Sequence, residues 1–311
     1  MKTRGVVGSL LLLTAIATIG FFIVREDMVQ ILLGVDLGSL AIILLASCLA
    51  LAIRGQQLAN VTEPFGVRFR LGESTGLSAL HTLSNYLPGR AGLVIRGAYL
   101  HRFHSVSVAD YTAMTALWLV GSLLSAVFLG ATLAASGVGD VNRGMAFAVF
   151  TGCGLALLVG YLGLEWAVGR GVGEGRFTRW LQRVRWGLRL WRERGSWRLW
   201  FVVWSFGLLL TQGLRYWVAL RALGDTSGLV AALVIQSLVA LSVLVSVTPG
   251  NLGVREGVAA FGALLTGVNP QIALLAAVID RAAALAISLV GFALLGNPLL
   301  RQFRQNTAAP S

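Results

Sequence analysis

Asn85-Tyr-Leu-Pro-Gly-Arg-Ala-Gly92 and Val247-Thr-Pro-Gly-Asn-Leu-Gly253 are the two stretches that decide how this chain folds. Each breaks a long apolar region at a Pro-Gly pair, and each is soon followed by arginine, Arg96 in the first and Arg255 in the second. Proline lacks an N–H and clashes with the preceding turn, while glycine enters left-handed backbone freely, so the pair ends a helix. Regions 76–104 and 229–267 therefore read as helical hairpins, with tips at Pro88, Gly89 and Gly92 and at Pro249, Gly250 and Gly253. The interval from the tip proline to the next long apolar run is nearly the same in both copies, Pro88 to Ser107 in one and Pro249 to Asn269 in the other. The shared order Pro-Gly, Gly, Arg, long run indicates a diverged internal repeat.

Outward from these stretches, the composition sets the solvent. Of 311 residues, 56% are apolar and 12% charged, and mean hydropathy is +0.78. Soluble domains carry roughly 25% charged residues, so an ordinary water-soluble globule is excluded and a polytopic membrane protein is expected. The net charge of +12 comes from 24 Arg and Lys2 against 13 acids. Segment 170–198 alone holds nine Arg and two Glu. Beside apolar spans, such an excess points to anionic lipid headgroups rather than nucleic acid. Trp180 and Trp191 recur at helical spacing among Arg179, Arg183 and their neighbours, as in a basic amphipathic helix on a membrane surface. Cys48 and Cys153 fall in apolar runs and form no disulfide framework.

Full spans are expected at 6–24, 37–53, 108–135, 145–168, 199–221 and 271–295. Ala15-Ile16-Ala17 resembles a signal-peptidase site, but the run continues through Val24, so the first span reads as an uncleaved anchor. Arginine and lysine concentrate in 1–5, 54–75, 170–198 and 296–311, which places those segments and both termini in the cytoplasm. Parity then makes 76–104 enter and leave on the cytoplasmic side, and 229–267 on the outer side. The expected fold is an all-α membrane bundle: an inverted repeat of about six spans and two opposed re-entrant hairpins. It forms one domain over 1–297, with a cytoplasmic tail at 298–311.

Charges inside a bilayer cost ~2.5–3.5 kcal/mol each on insertion scales, which makes them the first functional candidates. They are Arg90, Arg96, Arg215, Arg255, Glu256, Asp280 and Arg281. Arg90 and Arg255 follow the tips, where half-helix N-termini favour an anion, and a guanidinium fork beside such an end suits a phosphate. With Arg96, Asn85 and Asn251 they form the expected substrate-binding set. The alternative is that these arginines satisfy a carbonyl or carboxylate and only lock the hairpins. Glu256, Asp280, Arg281 and Arg215 read as ion pairs, structural or gating. No metal-ligand cluster, nucleophile elbow or P-loop is found, so neither an enzyme nor a cofactor is expected.

Asn85-x-x-Pro88-Gly89-Arg90-x-Gly92 with Arg96, and Thr248-Pro249-Gly250-Asn-Leu-Gly253-Val-Arg255-Glu256 with Asp280-Arg281, resemble the two motifs of the lysylphosphatidylglycerol synthase transmembrane-region family, also called flippase-like domain proteins. The likeness runs from about residue 6 to 297. It implies movement of a lipid or lipid-linked headgroup between leaflets of a bacterial or archaeal cytoplasmic membrane. The cargo would be an anionic phospholipid or a polyprenyl-linked lipid, with phosphate contacts near Arg90 and Arg255. Two departures stand out. Leu93 replaces a frequent Glu after the first motif, and the stretch around Leu117, Trp118 and Leu119 is apolar where a Glu-Arg pair is frequent. An integral membrane transferase, or an accessory subunit of a lipid or glycan biosynthetic complex, stays open as an alternative. So does partnership with a second copy or with a lipid-biosynthesis enzyme.

Overall fold

The computed structural model describes residues 34–87, 91–136, 142–169, 195–245 and 248–296, together with Trp180, Gln182, Arg185, Trp186 and Glu193. Among the described residues the chain is helical, with no strand. Nine α-helices follow in order: α1 Leu37–Thr62, α2 Leu71–Ser84, α3 Ala91–His104, α4 Val108–Ser136, α5 Arg143–Gly169, α6 Gly195–Ala222, α7 Leu229–Leu241, α8 Val254–Thr266 and α9 Pro270–Leu295. Local chemistry sets several of their ends. Asp36 caps α1 by accepting from the Ser39 amide at 2.9 Å. Hydrogen bonding from Ser39 also holds its carboxyl below the usual carboxylate range. Asn269 accepts from the Gln271 amide, and Pro270 occupies the first turn of α9, where its missing N–H is not needed.

Among the described residues, four segments are long and apolar enough to cross a membrane: Leu37–Phe65, Val108–Ser136, Arg143–Gly160 and Pro270–Leu295. Helix α6, the expected span 199–221, has 28 residues, but Gln212, Arg215 and several Trp lower its hydropathy and it is not among the four. The expected span 6–24, the tail 298–311 and most of the basic segment, including Arg179, Arg183 and Trp191, lie outside the described residues. Trp180 is helical and partly buried. Trp186 meets Phe65 edge-on at 5.8 Å.

One boundary differs from the expectation. Helix α1 does not stop at residue 53; it runs to Thr62 and continues as a 3-10 turn over Glu63–Phe65. Its last turns carry polar residues, but Gln57, Leu58, Val61 and Thr62 are buried. Arg54 is therefore part of a packed helix, not of a loop. The first hairpin likewise begins at Leu71 rather than at 76.

The helices flanking each Pro-Gly are short: 14 residues each in α2 and α3, and 13 each in α7 and α8. At 1.5 Å per residue each reaches only about 20 Å, less than a ~30 Å hydrocarbon core. Packing is reciprocal between the two halves. Helix α1 packs on α2 as α6 packs on α7, while α2 rests on α9 as α7 rests on α4. Helix α9 meets α1 as α4 meets α6, and α1 and α6 pack on each other. Exchanging α1–α4 with α6–α9 maps this set of contacts onto itself. Helix α5 packs on α4 and leaves Phe147, Leu155, Leu158 and Leu162 exposed. Within hairpin one, Glu73 Oε1 accepts from the Tyr99 hydroxyl at 2.7 Å and lies 3.1 Å from His104 Nε2, tying α2 to α3.

Gly55 sets the approach of α1 to α2: a Cβ there would lie 2.4 Å from Thr75 Oγ1 and 2.9 Å from its Cα. Backbone cannot yield as a side-chain tip can. Gly55→Leu is expected to lower the thermal midpoint of purified protein in detergent, at a cost of about 1–3 kcal/mol. Gly152→Ala, with nothing within 4 Å of the added carbon, should leave the midpoint unchanged. Equal midpoints for Gly55→Leu and the parent would contradict this packing.

Candidate functional site

The ends of the broken helices meet. After α2 closes at Ser84, the chain turns through Asn85, Tyr86 and Leu87, with the Asn85 amide donating to the His81 carbonyl. The second tip is a 3-10 turn over Pro249–Asn251. The Gly250 N–H donates to the Asn85 carbonyl at 2.7 Å, joining one tip to the other. Gly250 has φ 61°, and a Cβ on it would press on the Tyr86 ring at 2.8 Å, so both conformation and space require glycine. Asn251 shares the left-handed region at φ 58°. Its amide nitrogen donates to Ser242 Oγ at 2.9 Å and to the Ser242 carbonyl at 3.3 Å. Asn85 Nδ2 lies 3.1 Å from His81 Nε2. A Cβ at Gly92 would strike the His81 carbonyl at 2.4 Å, so α3 lies close to the end of α2.

Behind the tips runs a ladder of ion pairs. Successive residues of α8, Arg255 and Glu256, face successive residues of α9, Asp280 and Arg281. Arg255 Nη2 donates to Asp280 Oδ2 at 2.5 Å, and Arg281 Nη1 lies 3.0 Å from Glu256 Oε1. Arg215, from α6, donates through Nε to the other oxygen of Asp280 at 2.5 Å and through Nη1 to Ser47 Oγ of α1 at 3.1 Å. Asp280 is fully buried and Arg215 is 1% exposed. Arg281 reaches both tips. Its Nη2 donates to the carbonyls of Gly250 (3.1 Å) and Asn251 (3.3 Å), and its guanidinium lies 5.7 Å over the Tyr86 ring. Glu256 Oε2 accepts from the Gly253 N–H at 2.8 Å, closing the start of α8.

Of the expected substrate-binding residues, Arg255 keeps a side chain 20% exposed while holding Asp280. Asn85 and Asn251 direct their amide nitrogens back to the arms of their own hairpins, to His81 and Ser242. Arg96 is buried: its guanidinium lies 5.8 Å from the centres of both the Tyr111 and Trp118 rings, and Nε donates to the Tyr111 hydroxyl at 3.3 Å. It packs among rings rather than standing beside Arg255. Arg90, with Pro88 and Gly89, lies outside the described residues. Among the described residues, no group of three or more His, Cys, Asp or Glu is arranged to hold a metal.

Arg54, Ser47, Thr82 and Tyr86 belong to this region and were not singled out from sequence. Arg54 donates to Thr82 Oγ1 at 3.4 Å. It lies within electrostatic reach of Arg215, Arg255 and Asp280. A signal for it was present: Arg54 precedes Pro88 by the same interval as Arg215 precedes Pro249.

Asp280 is the group whose removal should hurt most, because it would leave two guanidinia without their carboxylate. Asp280→Asn is expected to destabilise the protein by about 3–5 kcal/mol, the cost of breaking a buried pair. Adding Arg215→Leu should recover part of that loss. The check is a pair of chemical-denaturation series on the single and double variants. Full stability of Asp280→Asn would show that the carboxylate does not carry the cluster.

A search of curated proteins finds no match for the chain. The family model described as the lysylphosphatidylglycerol synthase TM region matches residues 5–291, a range that contains both tips and every charged residue of the ladder. The chain therefore belongs to the lysylphosphatidylglycerol synthase TM region family, and it is a membrane protein related to lipid handling.

Proposed function

We propose that this protein is a flippase-type transporter that moves an anionic phospholipid or lipid-linked headgroup between membrane leaflets. The observation that carries the reading is the joining of two broken helices, tip to tip, through Gly250 and Asn85, against a buried charge ladder. Non-helical backbone at membrane depth is tolerated only where protein buries it or where it lines a cavity, and transporters place their sites at such breaks. Arms of 13–14 residues are shorter than a crossing, which supports hairpins that enter and leave on one face. With the arginine distribution, this favours six full spans, opposed re-entrant hairpins and cytoplasmic termini in a bacterial or archaeal inner membrane. Reciprocal packing of α1–α4 and α6–α9 supports two halves related as an inverted repeat.

In this reading the headgroup phosphate binds near Arg90 and Arg255, and its tails stay in lipid. Asn85, Asn251, Glu256 and Arg281 hold the tips in register. The protein performs no covalent chemistry; its work is differential binding of one headgroup in two access states.

A leaflet assay in proteoliposomes tests this. Fluorescent phosphatidylglycerol, phosphatidylcholine and lysyl-phosphatidylglycerol would be reconstituted with the protein, and outer-leaflet label quenched over time. Headgroup-selective movement is expected, slowed about tenfold or more by Arg255→Ala and less by Arg255→Lys, as befits loss of a charge-assisted hydrogen bond. Arg90→Ala should act similarly. Identical traces with and without well-folded protein would count against phospholipid transport and favour a polyprenyl-linked cargo or an accessory role.

A further inference from the structure

The two halves differ in how they treat one matched pair of arginines. Arg215 of α6 meets its acid, Asp280, on the long helix that follows the second tip. Asp280 stands as far beyond Pro249 as Leu119 stands beyond Pro88, and the residue before Leu119 is Trp118. Trp118 is taken up by Arg96. Arg54, the residue placed like Arg215, thus has no acid at the matching position of its own half.

Its surroundings do not replace that acid. A guanidinium carries five donors. Arg54 directs one to Thr82 Oγ1 at 3.4 Å, a hydroxyl that itself donates to the Ser78 carbonyl. Among the described residues, no carboxylate lies within ion-pair distance of it. An acid within its electrostatic reach is Asp280, whose two oxygens are already held by Arg215 and Arg255. Arg54 is thus left without a carboxylate of its own, within electrostatic reach of two guanidinia that already share Asp280. The Arg215 Nη2 group is also buried with no hydrogen-bond partner. Arg54 and Arg255 are both partly exposed, so a ligand can reach them. Buried or half-buried charge needs a counter-charge. An oxyanion with several acceptor oxygens supplies one and matches the fork geometry of two guanidinia.

We infer that a phosphate oxyanion binds between Arg54 and Arg255, with Arg54 as a substrate-binding cation supplied by α1. This rests on the anionic-headgroup reading above and adds to it a residue from outside the hairpins. The phosphate belongs either to a lipid headgroup or to a soluble phosphate ester.

The test uses the full chain in phosphatidylcholine nanodiscs, titrated with dihexanoyl phosphatidylglycerol, dihexanoyl phosphatidylcholine or glycerol phosphate and read by tryptophan fluorescence. The parent protein should bind the anionic lipid more tightly than the zwitterionic one. Arg54→Gln should weaken the anionic lipid about tenfold or more, and the zwitterionic lipid, whose phosphate is already countered by its own ammonium, by less. Arg54→Lys should restore part of the loss. Glycerol phosphate binding with the same Arg54 dependence would identify a soluble ester as the source; its failure beside a bound lipid would identify the headgroup. Phenylglyoxal footprinting of the parent protein needs no variant. Arg54 should be labelled in phosphatidylcholine and protected when phosphatidylglycerol is added. Unchanged anionic-lipid affinity in folded Arg54→Gln, or labelling of Arg54 indifferent to phosphatidylglycerol, would overturn the inference and leave the transport reading standing. A parent protein that binds none of the three probes, or binds all three equally and without dependence on Arg54, would overturn both.

Discussion

The carboxylate of Asp280 is the constraint on which the rest of the interior depends. It is fully buried, and each of its oxygens holds a different arginine, one from α6 and one from α8. In a low-dielectric interior no one of these three charges is tolerable alone. Their pairing fixes where α6, α8 and α9 sit, and Arg215 extends the link to Ser47 on α1. The next rung, Arg281 with Glu256, carries the same order to the tips. There Arg281 satisfies carbonyls that a broken helix would leave unpaired.

That arrangement explains why the second motif is so dense in charge. Arg255, Glu256, Asp280 and Arg281 act as two neighbouring pairs, Arg255 with Asp280 and Glu256 with Arg281. The first half is built differently. Arg96 is accommodated by aromatic faces, Tyr111 and Trp118, instead of by an acid. The halves share a plan of contacts without sharing electrostatics: one meets its arginines with Asp280 and Glu256, while the other gives Arg54 a hydroxyl, Thr82 Oγ1.

Much of the fold was legible from local signals. The break at Pro249-Gly250 is a 3-10 turn, and the expected runs 108–135, 145–168, 199–221 and 271–295 and the arms of the second hairpin appear as helices at nearly those bounds. Helix ends at Pro, Gly and Asn follow from backbone chemistry that acts over a few residues. The end of α1 was less legible. Arg54, Gln57 and Asn60 look like the start of a loop because they are polar, yet α1 packs on α2 and α6, burying Gln57 and half-burying Arg54 and Asn60. The site was legible in part. Arg255, Glu256, Asp280 and Arg281 stood out as costly intramembrane charges, and they do assemble. Arg96 stood out for the same reason but packs among rings, since cost alone does not say which partner meets it.

By itself, then, the sequence determined the solvent, the helical class, the position of both breaks and the charged residues needing partners. Those follow from composition, from the backbone limits of proline and glycine, and from the unfavourable energy of bare charge in lipid. Only the tertiary structure decided who partners whom. It brought Gly250 against Asn85, chose Asp280 over Glu256 for Arg255, and added Arg54 and Ser47 from a helix far away in the chain. Those choices depend on the crossing of helices remote in sequence, and no local pattern of residues encodes the distance between two side chains that meet only when the bundle closes.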